Sequence, residues 1–257
     1  MADALTDDEL LRYSRQILLA GFDVAGQEKL RAARVAVIGA GGLGSPVCLY
    51  LAAAGVGTLV IVDNDTVDLS NLQRQIAHRS ADIDRSKAQS AADACHALNA
   101  QVSVEPVVAR ADEELLRELA TRVDIMVDCC DNFATREAIN RVCHASRLPL
   151  VSGAAIRMEG QLAVFDFRAA TTPCRACLYG EHGSDEDTCS RNGVMAPLVG
   201  VVGSLQALAA IRLLTGYGDS GHGVLTVFDG MQGAFRTLRI RPDPSCAVCG
   251  AGAFSAS

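Results

Sequence analysis

A six-residue run, Gly39-Ala40-Gly41-Gly42-Leu43-Gly44, separates a short β-branched segment, Arg34 to Ile38, from an alanine-rich one, Leu43 to Ala54. It satisfies G-x-G-x-x-G, and between a strand and a helix each glycine has a physical task. The first permits a tight turn, the second lets backbone approach phosphate, and the third allows helix and strand to pack closely. The helix N-terminus behind the turn favours negative charge. Asp63 ends the next apolar segment, Thr58 to Val62, where a carboxylate can accept ribose hydroxyls. Gly39, Gly41, Gly42, Gly44 and Asp63 are therefore candidate nucleotide-binding residues. The competing reading is a glycine turn that serves packing alone.

The rest of the chain supplies the context that the motif needs. Thr6-Asp7-Asp8-Glu9 fits a capping box, and the apolar spacing after it predicts a helix over about residues 7–19. Helices are expected over Ser86 to Leu98, Glu113 to Ala120 and Ala134 to Arg147. Strands are expected over Val102 to Val107, Ile125 to Asp128 and Leu150 to Ser152. Such alternation predicts an α/β chain with a doubly wound, mostly parallel, Rossmann-like sheet. Beyond about residue 155 the pattern changes. Gln161 to Phe167, Gly223 to Phe228 and Phe235 to Ile240 read as antiparallel strands extending that sheet, around a helix from Gly200 to Leu214. With no Pro/Gly/Ser-rich linker in view, one domain is expected over 1–257. Its nucleotide-binding half would span about 30–155 and its second half about 156–250.

Composition excludes several classes. The 257 residues include 23 Lys plus Arg and 30 Asp plus Glu, and the net charge of −7 argues against coating nucleic acid. At 49% hydrophobic and 21% charged the chain is globular rather than disordered. The N-terminus has neither the basic region nor the apolar core of a secretory signal. Val194 to Ile211 carries no charge, yet Pro197, Gly200, Gly203, Ser204 and Gln206 suit a buried helix better than a membrane span. The expected setting is the cytoplasm, with no membrane partner, where ten cysteines are not a disulfide framework.

The glycine motif does not name its nucleotide. A nicotinamide-dependent oxidoreductase is one class, although none of the five histidines stands in a setting that suggests hydride chemistry. No G-x-x-x-x-G-K-S/T loop is present. The residues beyond the second strand favour ATP: Ser70-Asn71-Leu72-Gln73-Arg74-Gln75 and then Lys87. An arginine grips phosphate bidentately and a lysine adds a compact charge. Asp131-Asn132 ends the fourth strand, at the sheet edge where such folds bind ligands, and Asp131 is placed to hold Mg²⁺ beside phosphates.

Cysteine spacing adds a metal. Cys174-Arg175-Ala176-Cys177 and Cys246-Ala247-Val248-Cys249 are two C-x-x-C knuckles, and four thiolates suit a closed, structural Zn²⁺ site. Cys189 stands apart in the polar stretch from Gly180 to Gly193 and is the candidate nucleophilic or sulfur-carrying thiol, against the alternative of an exposed loop cysteine. Cys48, Cys95, Cys129, Cys130 and Cys143 read as small core residues.

Together, Arg12-Tyr13-Ser14-Arg15-Gln16-Ile17-Leu18-Leu19, the glycine run, Ser70 to Gln75, Lys87, Asp131-Asn132 and the two knuckles resemble the MoeB/ThiF/HesA family. These are bacterial relatives of the ubiquitin-activating enzymes, and the resemblance covers roughly residues 8–250. It implies that the C-terminal glycine carboxylate of a ubiquitin-like sulfur carrier attacks the α-phosphate of ATP, releasing pyrophosphate and leaving an acyl-adenylate. Nucleotide contacts are implied for Gly42, Asp63, Ser70, Asn71, Leu72, Gln73, Arg74, Lys87, Asp131 and Asn132. A homodimer is implied too, in which Arg15 reaches the site of the other subunit. Arg15, Arg74, Lys87, Asp131 and Cys189 are the implied catalytic set, and a separate protein would donate sulfur. Ser152 to Gln161 and Gly193 to Leu198 resemble the branch that activates the molybdopterin synthase small subunit, for molybdenum cofactor biosynthesis. Val227-Phe228-Asp229-Gly230 resembles the branch serving the thiazole sulfur carrier of thiamine biosynthesis. The first is preferred.

Overall fold

A computed structural model describes residues 4–169, 172–180 and 193–250. The strands are β1 (Arg34–Ile38), β2 (Thr58–Val62), β3 (Ser103–Val107), β4 (Ile125–Asp128), β5 (Leu150–Ile156), β6 (Glu159–Phe165), β7 (Val224–Asp229) and β8 (Ala234–Arg239). They form one eight-stranded sheet in the order β3-β2-β1-β4-β5-β6-β7-β8. From β3 to β5 the pairing is parallel. From β5 to β8 it is antiparallel. The doubly wound sheet with its antiparallel extension is the architecture that the alternating pattern predicts.

The helices are α1 (Asp7–Arg12), α2 (Ser14–Ile17), α3 (Asp23–Ala32), α4 (Gly44–Ala54), α5 (Lys87–Leu98), α6 (Glu113–Ala120), α7 (Phe133–Ala145), α8 (Arg175–Tyr179) and α9 (Ala196–Thr215). On one face of the sheet Val35, Val37, Leu59, Ile61 and Val127 pack under Val47, Leu51, Ala88, Val202 and Ala210. On the other, Ala36, Ile38, Val60, Val62 and Met126 meet Leu116, Leu119, Ile139 and Val142. Strands covered on both faces read as continuous apolar runs, which is why β1, β2 and β4 lack a polar alternation.

α9 is long and apolar enough to cross a membrane by length and composition. Instead, Gly203 receives Pro46 of α4 and Val202 covers Gly160 of β6, so close that a Cβ on either glycine would clash. Its Gln206 is fully buried and donates to the Asp128 carbonyl at 2.7 Å. This is a core helix.

Some boundaries differ from expectation, each for a visible reason. The helix expected over 7–19 breaks at Tyr13, whose buried ring lies over Gly55 and whose hydroxyl accepts from Asn99 Nδ2 at 2.8 Å. α3 is absent from the sequence-based expectation because its inner face is partly polar: Gln27 is fully buried and donates to Ala54 O at 2.9 Å. β5 runs past Ser152 to Ile156, since its Gly-Ala-Ala stretch gains order only by pairing with β6. That hairpin turns at Arg157 (φ +53°) and Met158, so β6 lies at 159–165 rather than 161–167. α9 begins earlier than predicted, at Ala196, with Pro197 in its first turn. α7 ends two residues early, at Ala145, before Arg147 turns to φ +53°, α8 has no counterpart in the sequence-based expectation, and the remaining shifts are of one residue.

Candidate functional site

Strand order reverses between β1 and β4, and the crossovers leave a crevice at their carboxyl ends. The glycine-rich turn occupies it. Gly39 has φ +97°, and a Cβ there would stand 2.8 Å from Cys129 O, so the turns after β1 and β4 lie against each other. On Gly44 a Cβ would fall 1.9 Å from Gly39 O. Packing explains both glycines. Gly41 is another matter: its nearest neighbour would be Gln75 Nε2 at an ordinary 3.5 Å. A Cβ fits at Gly41 in this structure, so packing does not explain that glycine, and its backbone is open to close approach by a ligand.

Asp63, just after β2, points back at this turn. Its Oδ2 accepts from Ala40 N at 2.7 Å and its Oδ1 from Asp65 N at 2.8 Å. Burial raises its pKa, against those two N–H groups and the nearby Lys87, which favour the charged form. Asp63 is thus first a brace for the turn; each oxygen keeps a lone pair for a further donor. Lys87 opens α5, is buried, and reaches Asp65 Oδ2 at 2.9 Å. That partner is largely exposed, and a phosphate arriving in the crevice would compete for the ammonium.

Ser70 to Arg74 form a compact turn of their own. Arg74 donates to Ser70 O at 3.1 Å and to Asn71 Oδ1 at 3.0 Å, with Leu72 half-buried and Gln73 exposed. Asp131 is exposed at the carboxyl end of β4, with no polar partner among the described residues. Asn132 caps α7, accepting from Thr135 N at 2.9 Å. Arg15 is exposed on α2 and contacts none of these groups. The structure therefore ties the glycine turn, Asp63 and Lys87 into one connected group. Arg74 is held on its own turn, Asp131 stands at the neighbouring strand end, and Arg15 is not brought to the site of its own chain. Cys189 lies outside the described residues.

Three supports of the site carry no motif. His78 is buried, with Nε2 at 2.9 Å from Ala40 O and Nδ1 at 2.9 Å from Ser90 Oγ. Nothing in the local sequence marks it. Asp128 is fully buried at the end of β4 and accepts from Ser152 Oγ at 2.7 Å and Cys130 N at 3.0 Å. Arg136 also donates to Cys130 O, so the backbone leading to Asp131 is fastened twice. An ionisable residue closing an otherwise apolar strand is a readable signal. Beside it Cys130 is half-buried in that turn, not a core residue as expected, whereas Cys48, Cys95, Cys129 and Cys143 are buried. Among the described residues two buried oxygens, Ser45 Oγ and Gln75 Oε1, have no partner. They belong to the first turn of α4 and to the side chain nearest Gly41, so polar atoms are left over where a nucleotide would arrive.

The four knuckle cysteines converge beside α8 and the segment after β8. Their sulfurs all lie within 4.8 Å of one another, with Cys174 to Cys246 at 3.7 Å and Cys177 to Cys249 at 3.2 Å. A tetrahedral zinc with ~2.3 Å bonds places sulfurs about 3.8 Å apart. The set fits. Burial pushes the Cys174 thiol up to about 11 and raises Cys249 further, so a cation is needed to hold them as thiolates. At Cys246 burial also pulls upward, but backbone N–H groups of Cys249 and Val248 outweigh it and lower the pKa. Between Cys174 and Cys177, Arg175 is buried under the rings of Phe133 and Tyr179, 5.3 and 4.8 Å from their centroids.

The ThiF family model matches residues 13–248. The chain belongs to the ThiF family. Among ThiF relatives it is 48% identical to the molybdopterin-synthase adenylyltransferase of Escherichia coli K12, over 96% of this chain and 98% of that protein. It is 44% identical to the sulfur carrier protein ThiS adenylyltransferase of the same organism, over 96% and 97%. The fold is shared with Escherichia coli MccB, solved with ATP, at a TM-score of 0.83 and 22% identity over 97% of this chain and 77% of that one. Membership agrees with the motif set from Tyr13 to the second knuckle. The two named Escherichia coli relatives are adenylyltransferases, which favours ATP over a nicotinamide as the nucleotide of this family.

Proposed function

We propose that this ThiF-family chain adenylates the C-terminal glycine carboxylate of a ubiquitin-like sulfur carrier, of the molybdopterin-synthase small-subunit type, for molybdenum cofactor biosynthesis. The observation that carries this reading is the crevice itself. A glycine turn with an open Gly41 and a nearby buried Lys87 follow β1 and β2, and an unpaired Asp131 follows β4, in a chain 48% identical to a named molybdopterin-synthase adenylyltransferase. The carrier's carboxylate attacks the α-phosphorus, the bond to the β-phosphate oxygen breaks, and pyrophosphate leaves. Such in-line displacement needs mainly positioning and charge neutralisation. Gly39, Gly41, Gly42 and Gly44 shape the backbone cradle, and Asp63 takes the ribose with its free lone pairs. Ser70, Asn71, Leu72, Gln73 and Arg74 form the wall beyond β2. For this, Arg74 releases its own turn and Lys87 releases Asp65 to meet phosphate oxygens. Asp131 and Asn132 close the far side, with Asp131 the residue that would hold Mg²⁺, whose chemistry is charge neutralisation on the phosphates.

The one-domain reading assigns nucleotide to about 30–155, and carrier and Zn²⁺ to about 156–250. Cys174, Cys177, Cys246 and Cys249 would hold the zinc, which ties chain segments together and has no open ligand position. A homodimer is supported by exposed apolar side chains, Leu69 and Ile76 flanking the Ser70 to Arg74 turn, Leu11 on α1 and Leu18 just after α2, and Arg15 of the partner subunit would complete the phosphate contacts. Cys189 is kept as the thiol that bonds the activated carrier, with sulfur from a separate protein, and the reaction is placed in the cytoplasm. The 44% identity to a ThiS adenylyltransferase supports the thiazole carrier as a second reading.

The test is carrier-dependent exchange of labelled pyrophosphate into ATP, with each candidate carrier weighed for added AMP. Exchange with the molybdopterin-synthase carrier supports the first reading, and exchange only with the thiazole carrier supports the second. No exchange with either overturns both.

A further inference from the structure

The Ala40 residue is gripped from both sides. Its N–H donates to Asp63 Oδ2 at 2.7 Å, and its carbonyl faces His78 Nε2 at 2.9 Å. A carbonyl only accepts, so Nε2 carries the ring proton. Burial lowers the pKa of His78 and keeps the ring neutral, which leaves Nδ1 as the acceptor for the Ser90 hydroxyl 2.9 Å away. Both nitrogens are engaged, and the tautomer is set by them. Ser90 lies in the first turn of α5, the helix that Lys87 opens. The ring therefore links the turn after β1 to the helix that carries the buried ammonium.

Peptide geometry turns this grip into an aim. The Ala40–Gly41 bond is trans, as are all those described. In a trans peptide the carbonyl and the following N–H point in opposite directions. Whatever draws the Ala40 carbonyl inward therefore turns the Gly41 N–H outward. Gly41 is half-buried, and among the described residues its N–H has no partner. Beside it lies the open space where an added Cβ would meet only Gln75.

We propose that His78 is a positioning residue for the nucleotide: by holding the Ala40 carbonyl it aims the Gly41 N–H at a phosphate oxygen. The inference rests on the reading of the crevice as an ATP site. It adds a residue that touches no substrate and acts through one peptide plane. Without the donor, the Ala40 carbonyl would be a buried acceptor with nothing to bind, and the peptide would rotate to find one. The Gly41 N–H would turn with it.

The experiment measures ATP affinity of the full-length protein by calorimetry, beside its thermal melt. His78→Leu keeps volume and removes the donor, whereas His78→Gln returns an N–H at a similar reach. Affinity should fall about tenfold in His78→Leu and recover to within about threefold of wild type in His78→Gln, the scale of one buried hydrogen bond. A merely structural histidine would lower the melting temperature of both variants and leave the affinity of the folded protein unmoved. In the wild type, the amide resonance of Gly41 should shift when ATP is added. A folded His78→Leu protein that binds ATP as tightly as wild type overturns the proposal. So does a Gly41 resonance that stays put at saturating ATP, a measurement that stands even where His78→Leu does not fold. Wild-type protein that binds no ATP overturns the functional reading itself, a distinct outcome.

Discussion

The two ends of the sheet are held together in different ways. Around β1, β2 and β4 nearly every residue is buried, and helices cover both faces. Outward from β6 the cover thins. β7 has one buried residue, Leu225, and β8 has none, with Phe235 and Leu238 exposed along its length. What the outer part lacks in core it could gain in sulfur, because four cysteines with the geometry of a metal site bring the segment after β8 against α8. Packing alone can fix a phosphate-binding turn to within a fraction of an ångström when apolar layers press on it from both sides. An outer ladder with little to bury needs a cross-link instead. On the proposed function, chemistry and fastening belong to different regions, and each should be removable without the other.

The largest expected effect lies in the first region. Asp131→Ala should lower carrier-dependent pyrophosphate exchange by roughly 10²- to 10³-fold, the scale of losing one preorganised charge contact in phosphoryl chemistry. Because Asp131 is exposed and unpaired, the melting temperature and zinc content should not change. A variant that loses activity only by unfolding would break the division.

Next comes the metal. Cys174→Ser with Cys249→Ser should abolish zinc binding and lower the melting temperature by roughly 10 °C, as expected for several kcal/mol in a chain of this size. New proteolytic cleavage should appear beyond β8, while ATP affinity stays within about threefold of wild type, less than one hydrogen bond's worth. Metal analysis, limited proteolysis and calorimetry check the three parts. Loss of ATP binding along with zinc would show that the regions are one unit, with Arg175, buried between two of the ligands and packed on Phe133 of α7, as the route between them.

How much of this can be read from the chain depends on how local each feature is. The turn after β1 is legible because strand, glycines and helix are contiguous, and the knuckles because C-x-x-C spacing is itself the ligand geometry. Asp63 is legible as a site residue, but its first task is not: it braces Ala40, a contact across 23 residues. His78 is invisible for the same reason, since its partner is 38 residues away and its own neighbours have no pattern. The break at Tyr13 needs Gly55 and Asn99 to be in place. α3 hides because a buried Gln27 interrupts the apolar spacing. In each case the deciding contact is tertiary, and no window of sequence contains both halves of it.

A third effect is smaller and sets one change in each region side by side. Leu59 is fully buried in the middle of β2, and Leu59→Ala should cost about 2–5 kcal/mol, through lost burial and the cavity left between the layers. Phe235 on β8 is a larger side chain, yet its main contact is the ring of Phe228, 4.6 Å between centroids, and half of it faces solvent. Phe235→Ala should therefore cost only about 0.5–1.5 kcal/mol, the worth of one aromatic pair. Size alone would rank the two the other way. If denaturation shows Phe235→Ala to be the more costly change, then the outer ladder is held by packing after all, and the cysteines only decorate it.

The smallest effect separates the regions by pH. Burial lowers the pKa of His78 and of His144 on α7, and both belong to the nucleotide half. The unfolded chain takes up these protons near pH 6.5, whereas the folded chain does so only at lower pH. Unfolded protein therefore binds more protons in that window, and stability rises with pH through it. The contribution is complete above about pH 6.5 and is lost as pH falls below, by at most ~1.4 kcal/mol per unit for each histidine. Lys87, Asp63 and Asp82 are the charged groups around His78, with Lys87 opposing protonation and the two carboxylates favouring it. Denaturant titrations at pH 7.5 and 5.5 should show the loss, and His78→Gln should make it shallower. An unchanged slope in that variant would remove His78 from the account and leave His144 to carry the acid sensitivity of the nucleotide half.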